Sequence, residues 1–171
     1  MLAPLVRRTW APKGQTPVFY QKGRSYSKAT IIAALSVSPQ RQRVQLYFSV
    51  RPNANADKAW FIRFLRGLAR HLRPHKLLIV WDRLPGHRSK SVTAPVYGLR
   101  RLEFALLPAY APELNPVEIF WAYLKSNPLA NLAFDEPYTL AKTTKRHARR
   151  IAKKPQLLQS FLFATPLFRP K

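Results

Sequence analysis

The stretch Leu77-Leu78-Ile79-Val80-Trp81-Asp82 decides the fold. Five apolar residues run without a polar break and stop at a carboxylate. A half-exposed strand would alternate, so an unbroken run predicts a strand covered on both faces, as in a parallel sheet. Upstream, Phe61, Phe64, Leu65, Leu68 and Leu72 recur at helical spacing, with Arg63, Arg66 and Arg70 off that stripe. They predict an amphipathic helix that ends near Arg73, before Pro74. Further upstream, Val44, Leu46, Phe48 and Val50 alternate with polar or amphipathic residues, which suits a half-buried strand. Ala29 to Leu35 reads as a buried strand, and Ser38–Gln42 as the hairpin turn that pairs the two antiparallel. Leu2 to Gln21 reads as irregular, with a short strand near Pro17–Tyr20.

Downstream of Asp82, Ser89–Leu99 carries a helical pattern interrupted by Pro95. Leu102, Phe104 and Leu106 predict a strand parallel to Leu77–Trp81. Pro108, Pro112 and Pro116 enforce an extended loop before a helix that starts near Asn115, with an apolar stripe of Val117, Phe120, Trp121 and Leu124. A last helix is expected over Tyr138 to Lys154, followed by an apolar tail with Leu157, Leu158, Phe161 and Phe163. Hairpin, helix, strand, helix, strand, helix makes an α/β arrangement with a mixed sheet.

Composition narrows the function. The 171 residues fit one domain, or one domain with a tail. They hold 30 Lys and Arg against 7 Asp and Glu, a formal charge of +23. Self-repulsion at that level calls for a polyanion, and nucleic acid is the usual one. With no cysteine there is no disulfide framework, no Cys-zinc site and no thiol nucleophile. No apolar run is long enough to span a membrane, and Met1–Lys13 has no secretory pattern. The composition predicts a soluble, intracellular, nucleic-acid-associated protein.

The few carboxylates can be weighed singly. Asp82 stands at the carboxyl end of a buried strand, where open α/β sheets place ligands; the structural alternative is a turn around Leu84-Pro85-Gly86. Glu118 is the third helical residue after Asn115-Pro116, which by itself is a capping-box position. Paired with a second carboxylate, it instead suits a magnesium site of oxygen ligands. His87 lies in a basic loop with Arg83, Arg88 and Lys90, either near phosphate or as an ordinary loop histidine. Lys142, Lys145, Arg146, Arg149, Arg150, Lys153 and Lys154 share one helical face, with Leu140, Ala148 and Ile151 elsewhere. Like charges at this spacing repel in a free helix, so phosphate contact is favoured over a merely solvated face.

Trp81-Asp82-Arg83-Leu84-Pro85-Gly86-His87-Arg88-Ser89, then Leu106-Leu107-Pro108-Ala109-Tyr110-Ala111-Pro112-Glu113-Leu114-Asn115-Pro116-Val117-Glu118-Ile119-Phe120-Trp121, then Leu124-Lys125, closely resembles the catalytic core of mariner-like bacterial insertion-sequence transposases of the DDE superfamily. Arg8-Thr9-Trp10-Ala11-Pro12-Lys13-Gly14-Gln15-Thr16-Pro17 resembles the segment that follows their first catalytic aspartate. The resemblance runs from about Arg7 to about Asn131.

It implies an RNase H-like mixed sheet flanked by helices and a catalytic triad of Asp, Asp and Glu (or Asp) holding two Mg²⁺ ions. Asp82 matches the second acid and Glu118 the third, with 35 residues between them, a spacing typical of the family. Metals about 3.5–4 Å apart would activate water or a DNA 3′-hydroxyl for in-line attack on phosphate. The first acid and the central strand carrying it are expected just before Arg7, and Met1–Val6 contains no acid. Asp57 opens a helix, in the wrong place to serve, and Arg83 stands where Asn is frequent in the family. The family's helix-turn-helix domain has no counterpart here, so an upstream-encoded part is expected.

The resulting expectation is a truncated catalytic domain over residues 1–135, with a basic helix and apolar tail over 136–171. Its partners would be transposon ends and target DNA, with a homodimer possible in principle, and its place the bacterial cytoplasm at the nucleoid. By itself the chain is expected to be inactive or nearly so. The rival is a basic nucleic-acid-binding module without catalysis. A ribosomal-type RNA-binding protein fits the composition but explains none of the motif.

Overall fold

The computed structural model describes residues 7–18, 28–83, 101–132 and 136–169. Strand β1 (Ala29–Val37) pairs antiparallel with β2 (Val44–Pro52), from Ala29 opposite Pro52 to Val37 opposite Val44. The turn between them closes through Ser38, whose N–H donates to the Arg43 carbonyl at 2.9 Å and whose Oγ accepts from the Arg43 N–H at 3.1 Å. Ile31, Ala33, Leu35 and Val37 share a face with Val44, Leu46 and Phe48 and meet the main core. Ala34 and Tyr47 point to the opposite face, toward helix α1 (Lys58–His71).

Helix α1 starts where Asp57 accepts a hydrogen bond from the Trp60 N–H at 2.6 Å. Trp60 donates its indole N–H to Ser49 Oγ at 2.9 Å, and the Arg51 guanidinium lies 4.6 Å from its ring centroid. These contacts lock the helix start to β2. The helix closes at His71, before Pro74, as its pattern predicts.

Strand β3 (Leu77–Trp81) pairs parallel with β4 (Leu102–Leu106), Leu77 opposite Leu102 and Trp81 opposite Leu106. One expectation for β3 is corrected. Leu77, Ile79 and Trp81 pack toward α1 with Leu65, Leu68 and Leu102, but Leu78 and Val80 on the other face are 60% and 50% exposed. Among the described residues the helices after β4 make their strand contacts with β1 and β2. Among the described residues no backbone ladder joins β1–β2 to β3–β4. Helix α1 bridges them, since Ala34 and Tyr47 share its cluster with Ile79 and Phe104.

A short 3₁₀ turn, Pro112–Leu114, leads into α2 (Pro116–Ser126). Helix α3 (Pro137–Ala152) ends two residues earlier than expected, and the apolar tail is itself a helix, α4 (Pro155–Phe163). Proline at 155 breaks the α3 hydrogen-bond pattern but is well placed at the start of a new helix. Leu158, Phe161 and Leu162 then bury against Phe120, Leu124, Val44 and Leu46. Hairpin, α2, α3 and α4 therefore share one core. The Phe120 ring lies 4.9 Å from Trp121 and 6.4 Å from Phe161, centroid to centroid.

The N-terminal stretch from Arg7 to Val18 is irregular, with a turn at Lys13–Gly14 where Gly14 takes φ +84°. Arg7 ties it to the end of α2, through its N–H to Asn131 Oδ1 (2.7 Å) and its guanidinium to the Ser126 carbonyl (2.6 Å). Pro17 and Val18 are not in a strand, and Phe19–Tyr20 lie outside the described residues, as does the Ser89–Leu99 helix pattern. Among the described residues no helix is long and apolar enough to cross a membrane.

Candidate active site

Asp82 directly follows β3, and its position is fixed from below. Trp81 is buried, with its ring 4.9 Å from Phe104 and 5.8 Å from Phe61. The Leu107 N–H donates to the Trp81 carbonyl at 2.8 Å, which carries the β3–β4 ladder one step past both strands. Arg83 Nε donates to the Leu107 carbonyl at 3.0 Å, closing the strand ends together. Asp82 is thus held at the carboxyl edge of a parallel pair, where α/β folds collect ligand-binding groups.

Glu118 arrives from the other side of the proline loop. Asn115 caps α2 by accepting from the Val117 N–H at 3.1 Å, and Pro116 takes the first helical position. A complete capping box would require the Glu118 carboxylate to bond back to the Asn115 N–H. That donor is already used: it reaches the Pro112 carbonyl at 3.0 Å and closes the 3₁₀ turn. The sequence shows the capping pattern, and the fold makes only its Asn half. The Glu118 carboxylate is left outside the cap.

The surroundings push the Glu118 pKa above its ordinary value. Burial of the carboxyl is the main cause, the negative charge of Asp82 adds to it, and Lys125 on the same helix partly opposes both. Two carboxylates with 35 residues between them in sequence therefore share one electrostatic environment. Among the described residues no cluster of three or more His, Cys, Asp or Glu side chains forms. Asp57 is engaged elsewhere, as the α1 cap and 3.3 Å from the Arg51 guanidinium.

Of the basic residues, Arg83 is exposed yet spends its Nε on Leu107. His87 and Arg88, with Lys90, lie outside the described residues. The α3 pattern divides as the spacing requires: Leu140, Ala141, Thr144, Ala148 and Ile151 face the core, and the cations face out. Lys142, Lys145, Arg146, Arg149, Arg150 and Lys153 together line a surface depression of about 390 Å³. Lys154, also exposed, stands apart from it at the start of α4.

Two features had no signature in the sequence. The Arg83–Leu107 bond joins residues 24 apart, whose nearness follows from strand pairing alone. His147, half-buried beside the cationic stripe, is pushed below the usual histidine range by burial first, then by Arg146 and Arg150.

A family model described as DDE superfamily endonuclease matches residues 2–141. The chain belongs to this family. Among solved structures, the fold of this chain is similar to the Mos1 transposase paired-end complex with left transposon end, at TM-score 0.66 and 18% identity over 97% of this chain and 49% of that one. The Mos1 strand transfer complex matches at 0.66 and 19%, over 97% and 48%. The catalytic domain of Mos1 mariner transposase matches at 0.57 and 17%, over 82% of this chain and 76% of that one. At these identities the likeness is one of fold, the RNase H-like mixed α/β architecture. The chain spans about half the length of the two Mos1 complex chains. A search of curated proteins finds no match.

Proposed function

We propose that this DDE endonuclease chain is the catalytic part of a mariner-like insertion-sequence transposase, in which Asp82 and Glu118 are two of the acids that hold divalent cations for cleavage and transfer of DNA strands. The observation that carries this reading is the action of the Asp82 charge on Glu118, a carboxylate left out of the helix cap. A carboxylate whose proton affinity is raised by a neighbouring acid is costly to keep ionised without a cation. The donor set fits: both groups offer hard oxygen ligands, and Mg²⁺ or Mn²⁺ takes a few carboxylates and completes its shell with water and phosphate oxygens. When bound, the ions would supply electrophilic stabilisation of the attacked phosphate and a more acidic nucleophile.

The chain's own residues have simpler tasks. Trp81 and the Arg83–Leu107 bond hold Asp82 at the strand edge, and Asn115 aims the first turn of α2 so that Glu118 projects from it. Residues 1–135 would carry this site and 136–171 the basic helix and α4. The missing first acid would enter on a strand lying between β1 and β3, where the two ladders lack a common partner among the described residues. That strand, like the helix-turn-helix part, would come from sequence upstream of Arg7. Transposon ends and target DNA would be the substrates, a homodimer the acting species, and the bacterial nucleoid the setting.

The absence of a third acidic ligand among the described residues favours a second reading for this chain alone: a DNA-binding module that does not cleave. Nicking of a labelled transposon-end duplex with Mg²⁺ or Mn²⁺ separates them. Residues 1–171 should turn over barely or not at all. Adding the upstream strand with its Asp should restore cleavage, and Asp82→Asn or Glu118→Gln should abolish it again. Robust cleavage by residues 1–171, lost in Asp82→Asn, would place the third ligand within this chain and overturn the incomplete-site reading. Cleavage that survives both substitutions would overturn the site.

A further inference from the structure

Helix α3 presents an unbalanced line of charge. Its sixteen residues include no Asp or Glu, and among the described residues no carboxylate pairs with Lys142, Lys145, Arg146, Arg149, Arg150 or Lys153. At about 1.5 Å per residue these six span about 16 Å, with at least one cation on every turn of about 5.4 Å. The helix dipole rewards the cations of the last turn, Arg149 and Arg150, but gives no account of Lys142, Lys145 and Arg146. Nor is the helix free to turn its charges away from one another. Leu140, Ala148 and Ile151 are at most 4% exposed and lock it against the hairpin and the rest of the core. The result is a rigid rod with one fixed cationic groove.

We propose that this groove is a track for the backbone of duplex DNA, following one strand over three or four successive phosphates and acting without divalent cations or the acids at Asp82 and Glu118. The proposal deepens the DNA-transposase reading by adding a second contact surface on a different element, and it rests on that reading only for the choice of DNA. The shape of the groove selects the ligand. A lone phosphate would engage one or two of the cations and leave the others unopposed. A membrane surface would require apolar side chains flanking the basic face to enter the lipid, and the apolar face of α3 is already spent on the core. A repeating anion spaced on the scale of a helix turn is what remains, and a nucleic-acid strand supplies it. The arginines add planar, multidentate phosphate contacts that lysines do not.

The test uses the full chain, a short DNA duplex and EDTA, with binding followed by fluorescence anisotropy between about 50 and 200 mM salt. The slope of log K against log salt should fall by about 0.9 for each phosphate contact removed. Arg149→Gln with Arg150→Gln should therefore lower its magnitude by one to two contacts' worth, about 0.9 to 1.8. Replacing all six by Gln should lower it by about 3 and weaken binding at least about tenfold. These side chains are exposed, so the variants should melt no lower than the parent, which separates lost contact from lost fold. The slope is read in EDTA, where no cation can occupy the acid pair, so failure of the cleavage site and failure of the track are distinguishable. An unchanged slope in the six-residue variant, or binding that vanishes in EDTA, would overturn the track. So would a single strand bound as tightly as the duplex and weakened by Tyr138→Ala, since Tyr138 is 74% exposed at the head of the same helix and would then be stacking a base.

Discussion

The negative charge of Asp82 raises the pKa of Glu118, adding to the larger effect of the carboxyl's burial and opposed by Lys125. The folded chain therefore holds the Glu118 proton more tightly than the unfolded chain does. A carboxylate pKa raised on folding favours the native state at low pH. That contribution is present below the unfolded pKa and is lost as pH rises through the folded one.

At neutral pH, then, Glu118 costs the metal-free protein stability. Glu118→Gln should raise the melting temperature in EDTA and cancel any rise that Mg²⁺ or Mn²⁺ gives the parent. Since the cation must displace the Glu118 proton, its affinity for the parent should increase with pH across the carboxylate range. Thermal melts with and without metal at several pH values check both parts. A variant that melts lower than the parent in EDTA would show that Glu118 is a structural cap after all.

The place of α4 in the core gives a stability prediction. Leu162 is fully buried against Phe120 and Leu124, within the cluster that β1 and β2 share. Leu162→Ala should cost about 2–5 kcal/mol, a large part of the roughly 5–15 kcal/mol available to a domain. Denaturant titration measures it. A loss below about 0.5 kcal/mol, the level of an ordinary surface change, would mean that α4 is an accessory tail.

Thr144 carries the opposite expectation. Its side chain is fully buried on the core face of α3, and its hydroxyl has no hydrogen-bond partner among the described residues. Thr144→Val removes that group at nearly constant shape and should stabilise the fold by about 1 kcal/mol. The same titration reads this change, and a destabilised variant would imply a partner for the hydroxyl.

Much of this was legible in the sequence because local periodicity tracks local burial. The alternation from Val44 to Val50 and the stripe from Phe61 to Leu72 each report a single face packed against a single neighbour, and both elements formed as read. The parallel pairing of Leu77–Trp81 with Leu102–Leu106 followed in the same way. What was not legible depended on where distant elements settle. The apolar run Leu77–Trp81 gave no sign that Leu78 and Val80 would be exposed, because that turns on which strands α2, α3 and α4 cover. Residues after Pro155 are apolar on too many sides to display a stripe, so α4 looked like a tail. At the candidate site the two acids were singled out by resemblance to the family motif, but the release of Glu118 from the helix cap was not legible. It depends on the Asn115 N–H choosing Pro112 over the Glu118 carboxylate, a choice made by the 3₁₀ turn.

The role proposed for Asp82 and Glu118 is to hold a divalent cation together. Mn²⁺ titration of the full chain, followed by the electron paramagnetic resonance signal of the free ion, tests it most directly. The parent should bind Mn²⁺ in competition with Mg²⁺, and Asp82→Asn and Glu118→Gln should each lose that binding while remaining folded. Equal Mn²⁺ binding by the parent and both variants would contradict the account.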